Sequence, residues 1–340
     1  MRLSFRAVLV TAAVSCATAL TACGSGDAGG GSDELSIVAS TNVWGSIAQA
    51  VAGDRAQVQS LITEPSADPH SYEASPRDAA AISDATLVVY NGGGYDHFVD
   101  DILDATGRDV PTVDAFALFE SGEYSDLHAG HDHGDTTAET TPADGTDSGD
   151  RSHDGHSHDG HDHSGINEHV WYDLATADAV AHAVADHLAE LDPDGADTYR
   201  DNAAAFHAQL HTVADTVESL ARTHPGAPIA QTESIAHYLV VGAGLDDRTP
   251  SDFTDAVENG TDPSPASIAA TRRLLLDGQV DALLYNPQTE DRVSLEMRRS
   301  AESTGIPVVE VFETLPEGVD YIQWQTRTAE ALSAALDTAP

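Results

Sequence analysis

The chain has 340 residues, with 57 acidic side chains against 15 basic ones and a formal charge of −42. Every basic residue in that count is Arg, and so acidic a surface excludes nucleic acid as a partner while drawing cations toward the protein. The length implies two domains more readily than one.

The first residues read as an export signal. Arg2 and Arg6 precede an apolar stretch from Ala7 to Val14, and Leu20-Thr21-Ala22-Cys23 follows. A basic start, a short apolar centre and a small residue before the cut mark a secretory leader, too short to span a membrane as a helix. Leu-Thr-Ala-Cys is similar to the bacterial lipobox, so residues 1–22 are expected to be removed and Cys23 to carry lipid. Residues 23–33, rich in Gly and Ser, then form a flexible tether. Cys16 leaves with the leader, so the mature chain has no internal disulfide. The expected location is the outer face of the bacterial cell membrane, held there by the lipid anchor.

Beyond the tether, strands and helices alternate. Leu35–Ser40 and Val58–Ile62 read as buried parallel strands flanking a helix from Trp44 to Ala52. Ser75 and Pro76 open a helix as N-cap and first helical residue. Thr86–Tyr90 is a strand stopped by Asn91-Gly92-Gly93-Gly94, where a tight turn is expected, with a helix following through Leu103. Val110–Val113 is a last short strand. After an insertion at 121–165, Val170-Trp171-Tyr172 leads into a helix from Ala175 to Leu191.

The most regular element comes next. Tyr199, Ala203, Phe206, Leu210, Val213, Val217 and Leu220 alternate in steps of four and three. That stripe predicts one helix of roughly 25 residues, about 38 Å long. Past Pro225-Gly226 the alternation resumes. Strands are expected at Ala227–Ala230, Ala282–Tyr285 and Pro307–Val311, and helices at Ser234–Val241, Ser267–Leu276, Asp291–Thr304 and Tyr321–Leu336. The fold class is therefore α/β, with two lobes of parallel-rich sheets flanked by helices and joined by one long linking helix. The first lobe occupies 34–191, the linking helix 192–224 and the second lobe 225–340.

The insertion is compositionally distinct. It carries His128, His131, His133, His153, His156, His158, His161 and His163 among Asp, Gly, Ser and Thr. So few apolar residues cannot build a core, and imidazole suits borderline metals such as Zn2+. The run is expected to gather metal loosely. By contrast, His207 and His211, at i and i+4, read as a solvated helix face, and Asp96 with His97 as surface or capping residues.

Four polar segments sit at strand ends or helix starts. They are Asp68-Pro69-His70-Ser71-Tyr72-Glu73, Asn167-Glu168-His169-Val170-Trp171-Tyr172-Asp173, Thr232-Glu233-Ser234 and Glu310-Val311-Phe312-Glu313-Thr314-Leu315-Pro316. Their order and setting resemble the solute-binding lipoproteins of bacterial zinc and manganese ABC importers, over nearly the whole stretch from Leu35 to Leu336. Asp192-Pro193 with Tyr199-Arg200-Asp201-Asn202 is similar to that family's entry to its linking helix. Tyr285-Asn286-Pro287-Gln288-Thr289 and Glu313-Thr314-Leu315-Pro316 with Trp324 are similar to its second-lobe signatures.

The resemblance implies that His70, His169, Glu233 and Glu313 ligate the metal. Glu233 rather than His237 falls on the third position, with His237 one helical turn away as a supporting or substitute ligand. Glu313 stands where the family often has aspartate. The implied role is capture of Zn2+, with Mn2+ as the alternative cargo, and delivery to an ABC importer permease with its ATPase, by a monomer. A metal store or adhesin built on the His run is the competing reading. An enzyme is not expected: there is no His-Glu-x-x-His pair, and a site filled by four protein ligands leaves no position for a catalytic water.

Overall fold

The computed structural model describes residues 35–65, 67, 69–122 and 166–339. Cys23, Asp68 and the eight histidines from His128 to His163 lie outside the described residues.

The first sheet contains β1 (Leu35–Thr41), β2 (Ala56–Ile62), β3 (Leu87–Tyr90) and β4 (Thr112–Asp114), in the order β2-β1-β3-β4, all parallel. The second contains β5 (Pro228–Gln231), β6 (Asp246–Asp247), β7 (Ala282–Tyr285) and β8 (Val308–Glu310), in the order β6-β5-β7-β8, again all parallel. Strands β3 and β7 are buried at every position. Strands covered on both faces need such continuous apolar runs, and Leu-Val-Val-Tyr and Ala-Leu-Leu-Tyr supply them. In each sheet the strand order reverses beside the first strand. Such switch points open a crevice at the carboxyl ends of the strands.

The first-lobe helices are α1 (Asn42–Ala52), α2 (Pro76–Asp84), α3 (Phe98–Thr106), α4 (Ala115–Ser121) and α5 (Leu174–Leu191). Ser75 caps α2 as expected: its hydroxyl accepts from the Asp78 amide, and the Asp78 carboxylate accepts from the Ser75 amide at 2.7 Å. Helix α3 starts only at Phe98, because residues 91–97 are used in a turn. Gly92, Gly93 and Gly94 all have positive φ, which favours glycine. A Cβ on Gly92 would also collide with the Asp114 carboxylate.

Helix α6 (Ala196–Thr223, 28 residues) buries Tyr199, Ala203, Phe206, Leu210, Val213, Val217 and Leu220, the whole of the predicted stripe. Its entry is pinned by Asp192, which pairs with Arg55 at 2.7 Å and accepts from the Tyr199 hydroxyl at 2.8 Å. Asn202 then donates to the Val51 carbonyl at the end of α1.

The second-lobe helices are α7 (His237–Gly242), α8 (Ser251–Glu258), α9 (Pro265–Leu276), α10 (Arg292–Thr304) and α11 (Tyr321–Asp337). The predicted helix from Ser234 is divided, with a 3-10 turn at Ser234–Ala236 before α7. Elements α4, β6 and α8 had no sequence expectation. The reason for β6 is plain: it is two exposed aspartates with no apolar period, paired to β5.

Helix α6 packs against α1 and α5 on one side and α7 and α11 on the other. One apolar core consequently runs from Ile37 and Leu87 under the first sheet to Ile229 and Leu284 under the second. Among the described residues, no helix is long and apolar enough to cross a membrane.

Candidate metal centre

Three of the polar segments follow or end strands β2, β5 and β8, and the fourth, at 167–173, leads into α5. His70 is held in the 3-10 turn Pro69–Ser71 after β2. Tyr72 anchors that turn by donating to the Asp78 carboxylate at 3.0 Å and packing on Phe98. His169 precedes the buried 3-10 turn Val170–Tyr172. Glu233 follows β5 and Glu313 follows β8, so residues far apart in sequence meet at facing strand ends.

Donor atoms of His70, His169 and Glu313 lie within 4.8 Å of one another. His169 and Glu313 are fully buried, and His70 Nε2 is 3.5 Å from Glu313 Oε2. A tetrahedral zinc ion with bonds of roughly 2.1 Å needs donors about 3.4 Å apart, so this pair already has a ligating separation. Glu233 stands outside the grouping. Its Oε2 accepts from Asn286 Nδ2 at 2.8 Å and from the Thr289 hydroxyl at 2.6 Å. The same Asn286 amide donates to Glu313 Oε1 at 2.8 Å, so one side chain tethers both carboxylates. His237 is exposed and joins none of the ligand groupings found among the described residues.

The hydrogen bonds around His169 decide which nitrogen faces the cluster. Asn167 donates through Nδ2 to the Ser234 carbonyl and hydroxyl, which turns its Oδ1 toward His169 Nδ1 at 2.9 Å. Nδ1 therefore carries the proton. Nε2 is left as a bare acceptor, buried and without a hydrogen-bond partner among the described residues. This is the arrangement of a metal-ligating imidazole. His70 has a carboxylate neighbour instead, with Glu168 Oε1 3.3 Å from its Nδ1.

Charge is crowded here. Burial drives His169 well below the usual imidazole range, with His70 and His237 adding to the effect. Glu168 is pushed up to about 7 by burial and then by repulsion from Glu258, Asp96 and Glu233. Burial also raises Glu258, whose carboxylate accepts from Ser234. Glu168, His169 and Glu258 form a second grouping with donor atoms inside the same 4.8 Å limit. Two imidazoles, that of His169 held neutral by burial, stand among several carboxylates, and a divalent cation would offset that negative charge. Tyr95 closes the rear wall, donating to Glu313 Oε2 at 3.0 Å and packing edge-on against His70. In front, a cleft of about 740 Å³ has His70, Glu258, Gln288 and Thr289 in its walls.

Reading the sequence did not single out Glu168, Glu258, Asn286 or Tyr95. Glu168 had a signal, standing directly before His169, and Asn286 lay within a quoted signature. Glu258 and Tyr95 had none, because their place depends on tertiary packing. Asp96, expected as a surface or capping residue, is not on the surface: it is fully buried and caps the turn, accepting from the Asn91 and Gly92 amides at 2.7 and 2.8 Å. His97 is exposed at the start of α3.

Two parallel sheets, one shared core and a crevice lined from both strand-end faces define a bilobal binding protein. The chain belongs to the ZnuA family, described as zinc-uptake complex component A, periplasmic, whose model matches residues 37–335. The manganese-binding lipoprotein MntA of Halalkalibacterium halodurans is 27% identical over 233 residues, 66% of this chain and 63% of that protein. The zinc-binding lipoprotein AdcA of Streptococcus pneumoniae is 24% identical over 332 residues, 95% of this chain and 59% of that protein. The matched region thus spans less than two thirds of either relative's length. The periplasmic zinc binding protein TroA from Treponema pallidum shares the fold, with a TM-score of 0.66 at 16% identity over 89% of this chain and 99% of that one.

Proposed function

We propose that this protein captures Zn2+ outside the cytoplasm, on a lipid anchor at Cys23, and delivers it to the permease of an ABC importer. The observation that carries the reading is the convergence of His70, His169 and Glu313 from separate segments of the chain, with the buried Nε2 of His169 left without a hydrogen-bond partner among the described residues. Glu233, held beside the group by Asn286 and Thr289, is the fourth ligand of the proposed set. Two imidazoles and two carboxylates leave a site near neutral with a divalent ion, so the charge is buried at little cost. The role is binding and release, with no catalytic step.

Mn2+ is the second reading, favoured by the name of the relative MntA. Manganese would accept the same ligands with bidentate carboxylates or added water. Zinc is preferred because N/O sites of this kind bind it more tightly than manganese, and because the eight histidines of the insertion raise the local concentration of a metal that imidazole prefers.

A zinc competition titration against a high-affinity chromogenic chelator tests the reading, run on the protein with residues 121–165 deleted. One tight ion is expected, lost in His70→Ala and in Glu313→Ala. Its absence would transfer the metal-binding role to the His run and favour the storage reading. A tight ion seen with manganese but not with zinc would reverse the choice of cargo.

A further inference from the structure

We infer that the outer face of the α5–α6 pair carries a second divalent-metal site, formed by Asp178, His182 and His207, for a borderline ion such as Zn2+. It shares no residue with the centre described above. It also revises the reading of His207 and His211 as a merely solvated face.

The helices bring the residues together by simple periodicity. Asp178 and His182 are i and i+4 on α5, and His207 and His211 are i and i+4 on α6, so each pair occupies one face of its helix. The chain reverses through Pro193–Gly195, and α6 then packs back along α5. His207 Nδ1 comes to rest 2.9 Å from Asp178 Oδ2, and His182 Nε2 3.8 Å from Asp178 Oδ1. One donor atom from each of the three residues lies within 4.8 Å of the other two.

The carboxylate is the feature that hydrogen bonding does not explain. Asp178 is 1% exposed on an alanine-rich helix, and its Oδ1 is buried with no hydrogen-bond partner among the described residues. A buried carboxylate oxygen left in that state is costly, and one hydrogen bond to Oδ2 does not relieve it. The imidazoles sit at the rim, with the side chains of His182 and His207 36% and 31% exposed. A negative charge at the floor and nitrogen donors at a solvent-facing rim suit a cation entering from water.

His211 supports the site. Its Nε2 is 3.1 Å from His207 Nε2. When His207 ligates through Nδ1, its proton sits on Nε2 and is donated to His211, the outer hydrogen bond that ligating imidazoles ordinarily make. Three protein ligands leave a fourth position for water, so the ion can exchange.

The test is equilibrium dialysis of the purified protein into buffer of micromolar free Zn2+, with bound metal counted by elemental mass spectrometry. The His182→Ala/His207→Ala double variant, with far-ultraviolet circular dichroism matching the parent, is expected to hold one ion fewer. Asp178→Asn keeps the size of the side chain and is expected to lose the same ion, which covers the case in which the double variant misfolds. His211→Ala should keep the ion with affinity reduced about 10–100-fold. Zinc-edge anomalous diffraction should place a peak about 2.0–2.2 Å from Asp178, His182 and His207. Equal ion counts in the parent and Asp178→Asn, with no anomalous peak on this face, would overturn the proposal.

Discussion

At the scale of single residues, Asn286 and Asn167 do the most with the least. Asn286 spans Glu233 and Glu313 with one amide nitrogen, and Asn167 sets the tautomer of His169. Removing such outer partners ordinarily lowers metal affinity by about 10–100-fold, because the ligands must then be ordered at the moment of binding. Asn286→Ala should show that loss in the chelator competition while keeping its circular dichroism. Unchanged affinity would mean the carboxylates are positioned by other groups.

Asp96 gives a prediction in pH. Burial raises it to about 6, against the pull of two backbone amides. Its folded value lies above the unfolded value of about 3.9. Its contribution to stability is therefore fully present below that unfolded value and is lost as pH rises through about 6. In urea denaturation, the stability of the parent relative to Asp96→Asn should fall by about 1–3 kcal/mol between pH 4 and pH 7.

At the scale of elements, the telling comparison is α6 with β6 and α8. Seven apolar residues at steps of four and three made α6 legible, because a helix packed along a continuous core must repeat its apolar side chains at the helical period. Leu210 is fully buried in that stripe. Leu210→Ala should cost about 2–5 kcal/mol in urea denaturation, since the surrounding helices relax only partly around the cavity. A loss under 1 kcal/mol would show that the stripe is loosely packed. By contrast, β6 is two exposed aspartates and α8 buries only Phe253 and Thr254. Neither presents a period long enough to read, and both exist because a neighbour completes them.

At the scale of the whole molecule, the lobes are stitched together as well as joined. Asn42 exchanges two hydrogen bonds with the Leu315 backbone, at 3.0 and 2.8 Å. Tyr172 donates to the Phe312 carbonyl, Tyr321 to the Trp171 carbonyl and Gln288 to the Ala67 carbonyl. With α6 and α11 packed across the same core, wide hinge opening would break all of these together. Zinc should therefore close the site by side-chain movement and a small lobe shift. Scattering curves with and without zinc should give nearly the same radius of gyration; a large change would contradict this. Zinc should also raise the melting temperature by mass action, by the equivalent of about 4 kcal/mol at a thousandfold excess over Kd. His70→Ala should lose most of that rise.

Periodicity and punctuation are local properties, and they sufficed for the α/β class, the long helix, the Ser75-Pro76 cap and the glycine turn at 92–94. Four separated polar segments also pointed to His70, His169, Glu233 and Glu313 through their likeness to a known family. Ligand sets are not local. Whether His70 meets Glu313, whether Asn286 holds two carboxylates, and whether Asp178 lies buried beneath His182 and His207 depend on how two sheets and a helix pair are packed. Those distances are set by the shared core, whose contacts link residues hundreds of positions apart, and no spacing along the chain encodes them.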